Sequence, residues 1–177
     1  MSSKLIRTDS RRAGDVIRWS TWPVIRTQTC AHHTWNVMRI LVEIWPEVPA
    51  EALVAALYHD AGELGSGDIP FPYKAQNKIL KKMMDEMEER SLEEQGVHVP
   101  PITDVWARRI KICDLVEMLE HGMDEVILGS MAGRIVIRNI EDALESKFRD
   151  LSEEEKQAVT NYLVARWGYY RQMEELT

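Results

Sequence analysis

Histidine and aspartate side chains occupy positions of predicted helices where the apolar periodicity calls for hydrophobic residues. His33 falls on the apolar stripe of one predicted helix, and Asp114 falls in the middle of the stripe of another. His59 and Asp60 end the apolar face of a third. A buried carboxylate is costly unless it is paired, hydrogen-bonded or bound to a metal. Three helices that direct such groups at one core therefore predict a shared polar site.

Two imidazoles and two carboxylates suit a divalent cation such as Mn²⁺, Co²⁺, Fe²⁺, Zn²⁺ or Mg²⁺. Four ligands on one side of a six-coordinate ion would leave positions for water and a phosphate oxygen. A hydrogen-bonded polar network inside the core would explain the same residues without a metal. Spacing alone does not choose between the two interpretations.

Two further carboxylates could carry acid–base chemistry beside such an ion. Glu63 lies one helical turn after His59 and Asp60, and a carboxylate there could orient or deprotonate a water molecule. Asp68 follows in a segment rich in glycine and proline, where backbone freedom could place it as a second acid–base group. The alternative for Glu63 is an exposed helix residue paired with a neighbouring lysine.

The elements that must position these residues are helices. Stripes with a 3.6-residue period recur along the chain, and strand-like alternation is absent over any useful length. We predict one all-α domain over residues 1–177, a helical bundle with the candidate site residues at about 18–120 and C-terminal helices at about 121–177. The predicted helices are His33 to Trp45, Glu51 to about Leu64, Lys78 to Gln95, Val105 to His121, Met123 to Ile140, and a last one that Ser152 and Glu155 cap and that ends near Met173.

Composition excludes several classes of protein. The 177 residues fit one domain, and the longest apolar runs are far too short to span a bilayer. The first residues are polar and lack the apolar core of a signal peptide. Two cysteines give no disulfide framework and no zinc-finger pattern, so we expect a cytoplasmic protein.

Charge is unevenly distributed along the chain. The net charge is −7, which argues against non-specific binding to nucleic acid. The first 39 residues nevertheless carry seven basic and only two acidic side chains. A basic segment on an acidic body fits a small anionic ligand better than a long polyanion. A solvated N-terminal segment would show the same composition.

The motifs together resemble those of the HD-domain phosphohydrolases, whose signature is H…HD…D on a helical core. The similarity is most specific to the short bacterial HD-domain 5′-deoxynucleotidases. It extends over residues 18–114, and the C-terminal third matches only as more helix. The residues that carry it are Arg18-Trp19, Arg26-Thr27, His33-Thr34, His59-Asp60-Ala61-Gly62-Glu63, Gly67-Asp68-Ile69-Pro70, Pro72, Lys74, and Lys111 with Asp114.

The resemblance implies roles for individual residues. A divalent metal ion (Co²⁺, Zn²⁺, Mn²⁺ or Mg²⁺) would be held by His33, His59, Asp60 and Asp114. Glu63 would position the attacking water, and Asp68 would assist as an acid–base group. The substrate would be a small nucleotide, and the enzyme would be a homo-oligomer, either a dimer or a hexamer. The substrate-binding residues would be Arg18, Trp19, Trp22, Arg26, His32 and Lys74.

Departures from the nucleotidase pattern favour a more anionic substrate than a monophosphate. Gln28 and Thr29 stand where those enzymes usually have an acidic residue and Asn, and His32 stands where they have Glu. Fewer acidic groups near the phosphates would repel a triphosphate less. The chain also resembles the dATP triphosphohydrolases of bacteriophages that replace adenine with 2-aminoadenine.

That second resemblance implies hydrolysis of dATP to deoxyadenosine and triphosphate, which would deplete dATP in such a phage. A phage-encoded protein would act in the host cytoplasm. Two alternatives remain at this point. One is a 5′-deoxynucleotidase that acts on deoxynucleoside monophosphates, and the other is a catalytically silent HD protein that binds a nucleotide as a sensor.

Overall fold

The computed structural model describes residues 9–69 and 77–176. Within these ranges the chain forms six α-helices, and the prediction of an all-α fold is confirmed. No helix in the described ranges is long and apolar enough to cross a bilayer. The helices are α1 (Cys30–Ile44), α2 (Ala50–Tyr58), α3 (Lys78–Gln95), α4 (Asp104–Ile127), α5 (Met131–Phe148) and α6 (Glu153–Leu176).

Helix α4 lies at the centre of the core and packs against α1 and α5. Its buried apolar residues include Ile112, Leu115 and Val116, which meet Ile40 and Leu41 of α1. Burying side chains of this size contributes about 1.5–3 kcal/mol each relative to leaving them exposed. The polar residues that α4 also buries are therefore held in place by a well-packed apolar frame.

Two short strands that periodicity did not predict precede α1. β1 (Ile17–Arg18) and β2 (Gln28–Thr29) pair antiparallel, and Arg18 lies opposite Gln28. Each strand has only two residues, which is too short for any alternation to be visible in the sequence. Thr29 then caps α1, because its side-chain oxygen accepts a hydrogen bond from the backbone N–H of His32 at 3.3 Å.

The second helix is shorter than predicted. α2 ends at Tyr58, and the following residues form a 3₁₀ turn at Ala61–Leu64 instead of continuing the helix to Leu64. Helix α3 passes directly over this turn at Gly62, where a Cβ would lie only 2.7 Å from the Cβ of Glu88. The close approach requires glycine and brings α3 against the turn that follows Asp60.

The break after the fourth helix also lies later than predicted. α4 continues through Gly122 to Ile127, and α5 begins at Met131. Gly129 has a φ of 101°, in the region that favours glycine, and it reverses the chain between the two helices. The predicted boundary near His121 was wrong because Gly122 lies inside the helix.

The predicted capping box at the start of α6 is present and is tied to α4. The backbone N–H of Ser152 donates to Glu155 Oε2 at 3.0 Å, and the Glu155 N–H donates to Ser152 Oγ at 3.2 Å. Arg109 of α4 donates from Nε to the other Glu155 oxygen at 2.8 Å. Burial raises the pKa of Glu155, but the hydrogen bonds from Ser152 and Arg109 outweigh it and lower the pKa.

We therefore expect Glu155→Gln to destabilise the protein at neutral pH by about 1–2 kcal/mol, since it removes charge-assisted hydrogen bonds from a buried site. A folded-state pKa below the ordinary 4.5 means that the ionised carboxylate stabilises the fold above that pH. The contribution is lost as the pH falls through the lowered value. Thermal unfolding midpoints of wild type and variant should therefore differ at pH 7 and converge in acid.

Glu154→Gln is the matched control, because Glu154 lies in the same first turn of α6 and is exposed. Equal shifts for the two variants, or a difference that does not change with pH, would contradict the role given to Glu155.

Candidate active site

His33 and His59 face each other through their Nε2 atoms, which lie 3.2 Å apart. The Nδ1 of His59 lies 2.7 Å from the carbonyl oxygen of Ala56, and the Nδ1 of His33 contacts a carboxylate oxygen of Glu117. Because these oxygens can only accept, both Nδ1 atoms carry hydrogen. The Nε2 atoms of two neutral imidazoles would therefore direct lone pairs at each other.

Two carboxylates complete this cluster. Asp60 Oδ2 lies 3.4 Å from each Nε2, and Asp114 Oδ1 lies 3.2 Å from the Nε2 of His33. Electron-rich atoms at this spacing repel unless a proton or a cation lies among them. Donors that share one ion at about 2.0–2.2 Å are about 3–3.5 Å apart, so the spacing of His33, His59 and Asp60 fits a divalent cation, and Asp114 adjoins them at His33.

Electrostatics keep both aspartates ionised, as ligation requires. Burial raises the pKa of Asp60 and Asp114, but neighbouring histidines, arginine and lysine outweigh it and hold both values below the ordinary range. Burial and Arg18 lower the pKa of His33, whereas Glu117 and Asp114 raise it to about 9. Without a metal, a proton on His33 thus supplies the positive charge that the cluster needs.

A second group of potential ligands is formed by Cys30, Asp60 and Glu63. Burial raises the pKa of the Cys30 thiol to about 12, which leaves it protonated and a poor ligand. The thiol lies 3.6 Å from Glu63 Oε2 and donates to it. The histidine-containing group is therefore the better metal site, and Glu63 lies beside it with its side chain buried.

Arg18 extends from β1 into the same cluster. Its guanidinium forms a buried ion pair with Asp60 and lies 3.8 Å from Glu63 Oε2. Burial lowers the pKa of Arg18, but the surrounding carboxylates raise it further, so the group is charged. Among the described residues nothing pairs with its buried Nε, which leaves one donor for an anionic ligand.

Trp19 lies at the turn that follows β1, with a φ of 60° that is unusual for a residue with a side chain. Its backbone N–H donates to Asp68 Oδ2 at 3.0 Å, and its indole N–H donates to Gln28 Oε1 at 3.1 Å. Its ring packs edge-on against His121 at 5.0 Å between centroids. The predicted residues Trp19 and Asp68 therefore hold each other in place.

A cavity of about 130 Å³ opens beside the cluster and has two unlike ends. The charged end is lined by Arg18, Asp60, Glu63, Asp68, Lys111 and Asp114. The other end is mostly apolar and is lined by Trp19, Trp22, Ile69, Met118, Val136, Asn139 and Ile140. Four carboxylates against two cations leave the charged end with an excess of negative charge that a divalent ion would balance.

Two predicted substrate residues lie elsewhere. Arg26 and His32 line a second cavity that shares no lining residue with the first. Arg26 pairs there with Asp124 at 3.0 Å and with Glu125 at 3.4 Å. Arg26 lies in the β1–β2 connection and His32 in the first turn of α1, and the structure does not bring either of them to the first cavity. Lys74 lies outside the described residues.

Two residues at the site were not assigned a role from the sequence. Glu117 contacts the Nδ1 of His33, and Lys111 pairs with Asp114 across one turn of α4. A spacing of three residues on either side of Asp114 is the signal that could have identified both, since it places all three on one helical face. Gln28 was noted only as a departure from the nucleotidase pattern, although it contacts both Trp19 and Glu117.

This helical core, with its H…HD…D set of histidines and aspartates, defines the chain as an HD-domain phosphohydrolase. Residues 11–103 match the family described as 5′-deoxynucleotidase YfbR-like. The chain belongs to this family, and the predicted relationship is confirmed.

Two curated relatives are similar over much of the chain. A dATP triphosphohydrolase of Salmonella phage PMBT28 is 31% identical over 133 residues, which cover 64% of this chain and 66% of the relative. A dATP triphosphohydrolase of cyanophage S-2L is 27% identical over 129 residues, which cover 66% of this chain and 70% of the relative. The chain thus matches about two thirds of the length of these relatives.

A solved structure supports the fold over nearly the whole chain. The cyanophage S-2L HD phosphohydrolase (DatZ), bound to dA and one catalytic Zn²⁺ ion, superposes with a TM-score of 0.72. The alignment covers 99% of both chains at 18% sequence identity. At this identity the similarity establishes the shared fold.

We expect Zn²⁺, Co²⁺ or Mn²⁺ to stabilise the protein and Asp114→Asn to abolish that effect. A ligand that binds only the folded state at 100 times its dissociation constant adds about 2.7 kcal/mol. The amide keeps the size of Asp114 but removes the negative charge that the cluster contributes. Metal content by mass spectrometry and the unfolding midpoint with and without metal measure the loss.

Asp124→Asn on the same helix is the control, because Asp124 is half exposed and pairs with Arg26 away from the cluster. One full equivalent of metal bound to the Asp114→Asn variant would refute the assignment.

Proposed function

We propose that the chain is a metal-dependent dATP triphosphohydrolase that converts dATP to deoxyadenosine and triphosphate. The observation that carries the proposal is a buried cluster of two histidines and two aspartates at the charged end of a cavity whose other end is apolar. Two curated relatives carry this activity in their names. A role in phages that use 2-aminoadenine stays a prediction.

The metal would be held by His33, His59, Asp60 and Asp114. When bound, a divalent ion supplies positive charge that polarises a phosphoryl oxygen and makes water more acidic. Zn²⁺ is named in the structure of the cyanophage relative, and nitrogen and oxygen donors of this kind also accept Co²⁺ and Mn²⁺.

Glu63 would take the proton from the attacking water. Its buried carboxylate lies beside Arg18 and follows Asp60 by one tight turn, and a phosphate bound by Arg18 would therefore have a base next to it. Water would add to the α-phosphorus, and the bond from this phosphorus to the 5′-oxygen would break. The proton that Glu63 takes from the water would return to the 5′-oxygen as it leaves, with Asp68, which lines the same end of the cavity, as the relaying group.

Arg18 would bind the α-phosphate, for which its charge and its unpartnered Nε provide a donor. Lys111 lies nearer the solvent, and its side chain is 42% exposed. It would neutralise the β- and γ-phosphates, and Lys74 is proposed for the same task on the basis of the sequence. These positive charges compensate the negative charge that develops on the phosphate oxygens.

The nucleoside would occupy the apolar end of the cavity. Trp19 and Trp22 would pack against the sugar and the base, and Met118, Val136 and Ile140 would form the opposite wall. Asn139 is the polar side chain on this wall, and its amide could hydrogen-bond a base edge. Aromatic and apolar walls with few polar groups are typical of small-ligand sites.

A second candidate function is hydrolysis of deoxynucleoside monophosphates, which the description of the matching family favours. The two activities share the cleaved bond type and differ in the length of the phosphate chain. They therefore differ in the phosphate product that is released, which makes them easy to separate.

The decisive experiment is a product assay with every dNTP and dNMP in the presence of Zn²⁺, Co²⁺ or Mn²⁺, resolved by ion-exchange chromatography. We expect deoxyadenosine and intact triphosphate from dATP. Inorganic phosphate from several dNMPs, with dNTPs untouched, would identify a nucleotidase instead. Absence of any product from a metal-loaded protein would identify a nucleotide sensor.

Glu63→Gln should lower kcat by about 10²-fold or more while the protein still binds metal, because the amide cannot accept the proton. Steady-state kinetics on dATP and metal content measured on the same sample test this. Glu93→Gln on the exposed side of α3 is the control. Full kcat in the Glu63→Gln variant would remove Glu63 from the mechanism.

We also propose that the chain is a homo-oligomer, a dimer or a hexamer, that acts in the cytoplasm. Ile79, Met83 and Met87 follow one another by one turn along α3 and are 76%, 56% and 48% exposed. An exposed apolar stripe of this kind is typical of a subunit contact. Met84, by contrast, is buried within the chain. Light scattering gives the mass of the assembly.

A further inference from the structure

A chain of buried polar side chains connects the apolar end of the cavity to the metal-binding cluster. Trp19 Nε1 lies 3.1 Å from Gln28 Oε1, and Gln28 Nε2 lies 2.7 Å from Glu117 Oε1. The other Glu117 oxygen contacts His33 Nδ1. All four residues are at most 6% exposed, and Gln28 and His33 are fully buried.

The donors and acceptors of these four side chains fix the direction of every hydrogen bond between them. An indole N–H can only donate, so the Gln28 oxygen must face Trp19 and the Gln28 NH₂ must face Glu117. The Glu117 carboxylate accepts from Gln28 with one oxygen and from His33 with the other. His33 therefore carries its hydrogen on Nδ1, and its Nε2 is directed at His59 and the aspartates.

We propose that Gln28 is a positioning residue that couples the nucleoside-contacting Trp19 to the metal ligand His33. It holds His33, through Glu117, in the tautomer that can bind metal, and it fixes the Trp19 ring from its polar edge. This inference rests on the proposed function for the identity of the metal and nucleoside sites. Hydrogen-bond partners of ligating histidines commonly change metal affinity by 10- to 100-fold when they are altered.

The coupling also defines how Trp19 contacts a substrate. The indole N–H is already bound to Gln28, and the backbone N–H is bound to Asp68. Trp19 therefore presents only its ring surface to the cavity. With a φ of 60° at this residue, the ring position depends on both anchors, because the backbone conformation is not one that tryptophan prefers.

Between the indole of Trp19 and the carboxylate of Glu117, position 28 of this chain requires an amide side chain. It must accept from the indole and donate to a carboxylate, and a glutamate could not do both when ionised. A carboxylate at position 28 would face Glu117 with no hydrogen between them in a site that excludes water. Such an acceptor–acceptor contact in a buried site is costly.

The test uses three variants of nearly unchanged side-chain shape: Gln28→Glu, Glu117→Gln, and the variant that carries both substitutions, called the double exchange. Gln28→Glu creates one acceptor–acceptor contact, and Glu117→Gln creates one donor–donor contact somewhere between the indole and the imidazole. In the double exchange, the carboxylate at position 28 accepts from the indole and from the new amide. The carbonyl of that amide at position 117 accepts from His33, so every bond is restored.

We expect each single variant to bind Co²⁺ 10- to 100-fold more weakly, as measured by competition with a chromophoric chelator. The double exchange should return the Co²⁺ affinity to within about fivefold of wild type. The KM for dATP should rise in a single variant whose mismatched contact displaces Trp19, because Trp19 contacts the nucleoside under the proposed function. It should return toward the wild-type value in the double exchange. Unfolding midpoints measured without metal show that each variant is folded.

Two further variants test the hydrogen bond between Trp19 and Gln28. Trp19→Phe removes the indole N–H and lets the Gln28 amide rotate by half a turn. As a single change it should keep the Co²⁺ affinity within about threefold of the wild-type value. Combined with Glu117→Gln, it should recover several-fold of the lost Co²⁺ affinity. Without that recovery, the proposed coupling to Trp19 would be refuted.

Gln157→Glu, at an exposed position of α6, is the control for the glutamine-to-glutamate change. If both single variants keep the wild-type Co²⁺ affinity and KM, these hydrogen bonds do not affect metal or substrate binding, and the proposal is overturned. A folded double exchange no better than the single variants would overturn it as well. Weakened Co²⁺ binding that the double exchange repairs, in a protein inactive on dATP, would refute the proposed function and leave the inference standing.

Discussion

Repulsion among electron-rich atoms inside the protein is the constraint on which the rest of the structure depends. The Nε2 atoms of His33 and His59 and one oxygen of Asp60 lie 3.2–3.4 Å from one another where α1 and the end of α2 meet. One oxygen of Asp114 on α4 lies 3.2 Å from the Nε2 of His33. An apolar core cannot stabilise such a cluster, since it removes the water that would separate the charges. The cluster is tolerable only with a cation among its members, whether a proton on His33, the Arg18 guanidinium or a metal ion.

The elements around the cluster follow from this requirement. The two-residue strands bring Arg18 and Gln28 side by side, one toward the aspartates and one toward the Glu117 carboxylate. The tight turn after α2 brings Asp60 and Glu63 together beside Arg18. The absence of a side chain at Gly62 lets α3 pack directly against that turn. Irregular backbone is concentrated where functional groups converge, and the regular helices supply the rigid frame.

The sequence predicted the features that depend on helical periodicity and missed those that depend on where a helix stops. The burial of His33 and Asp114 follows from their position on apolar stripes. His59 and Asp60 were correctly associated with the core, but they lie beyond the end of α2, where helical geometry does not apply. Residue type could not show that Arg26 and His32 line a different cavity, because the path of the β1–β2 connection decides it for Arg26 and the orientation of α1 decides it for His32.

One face of α4 links the two ends of the cavity. Lys111, Asp114 and Met118 follow one another at helical spacing and line the solvent side, the metal-binding cluster and the apolar wall in turn. Since a helix turn rises about 5.4 Å, a rigid element fixes the distance between Asp114 in the cluster and Met118 in the apolar wall. Under the proposed function, the α-phosphate of dATP lies at Asp114 with the nucleoside on one side and the β- and γ-phosphates toward Lys111. Cleavage of the bond between the 5′-oxygen and the α-phosphorus would then release the three phosphates as one product, because no bond between phosphates is broken.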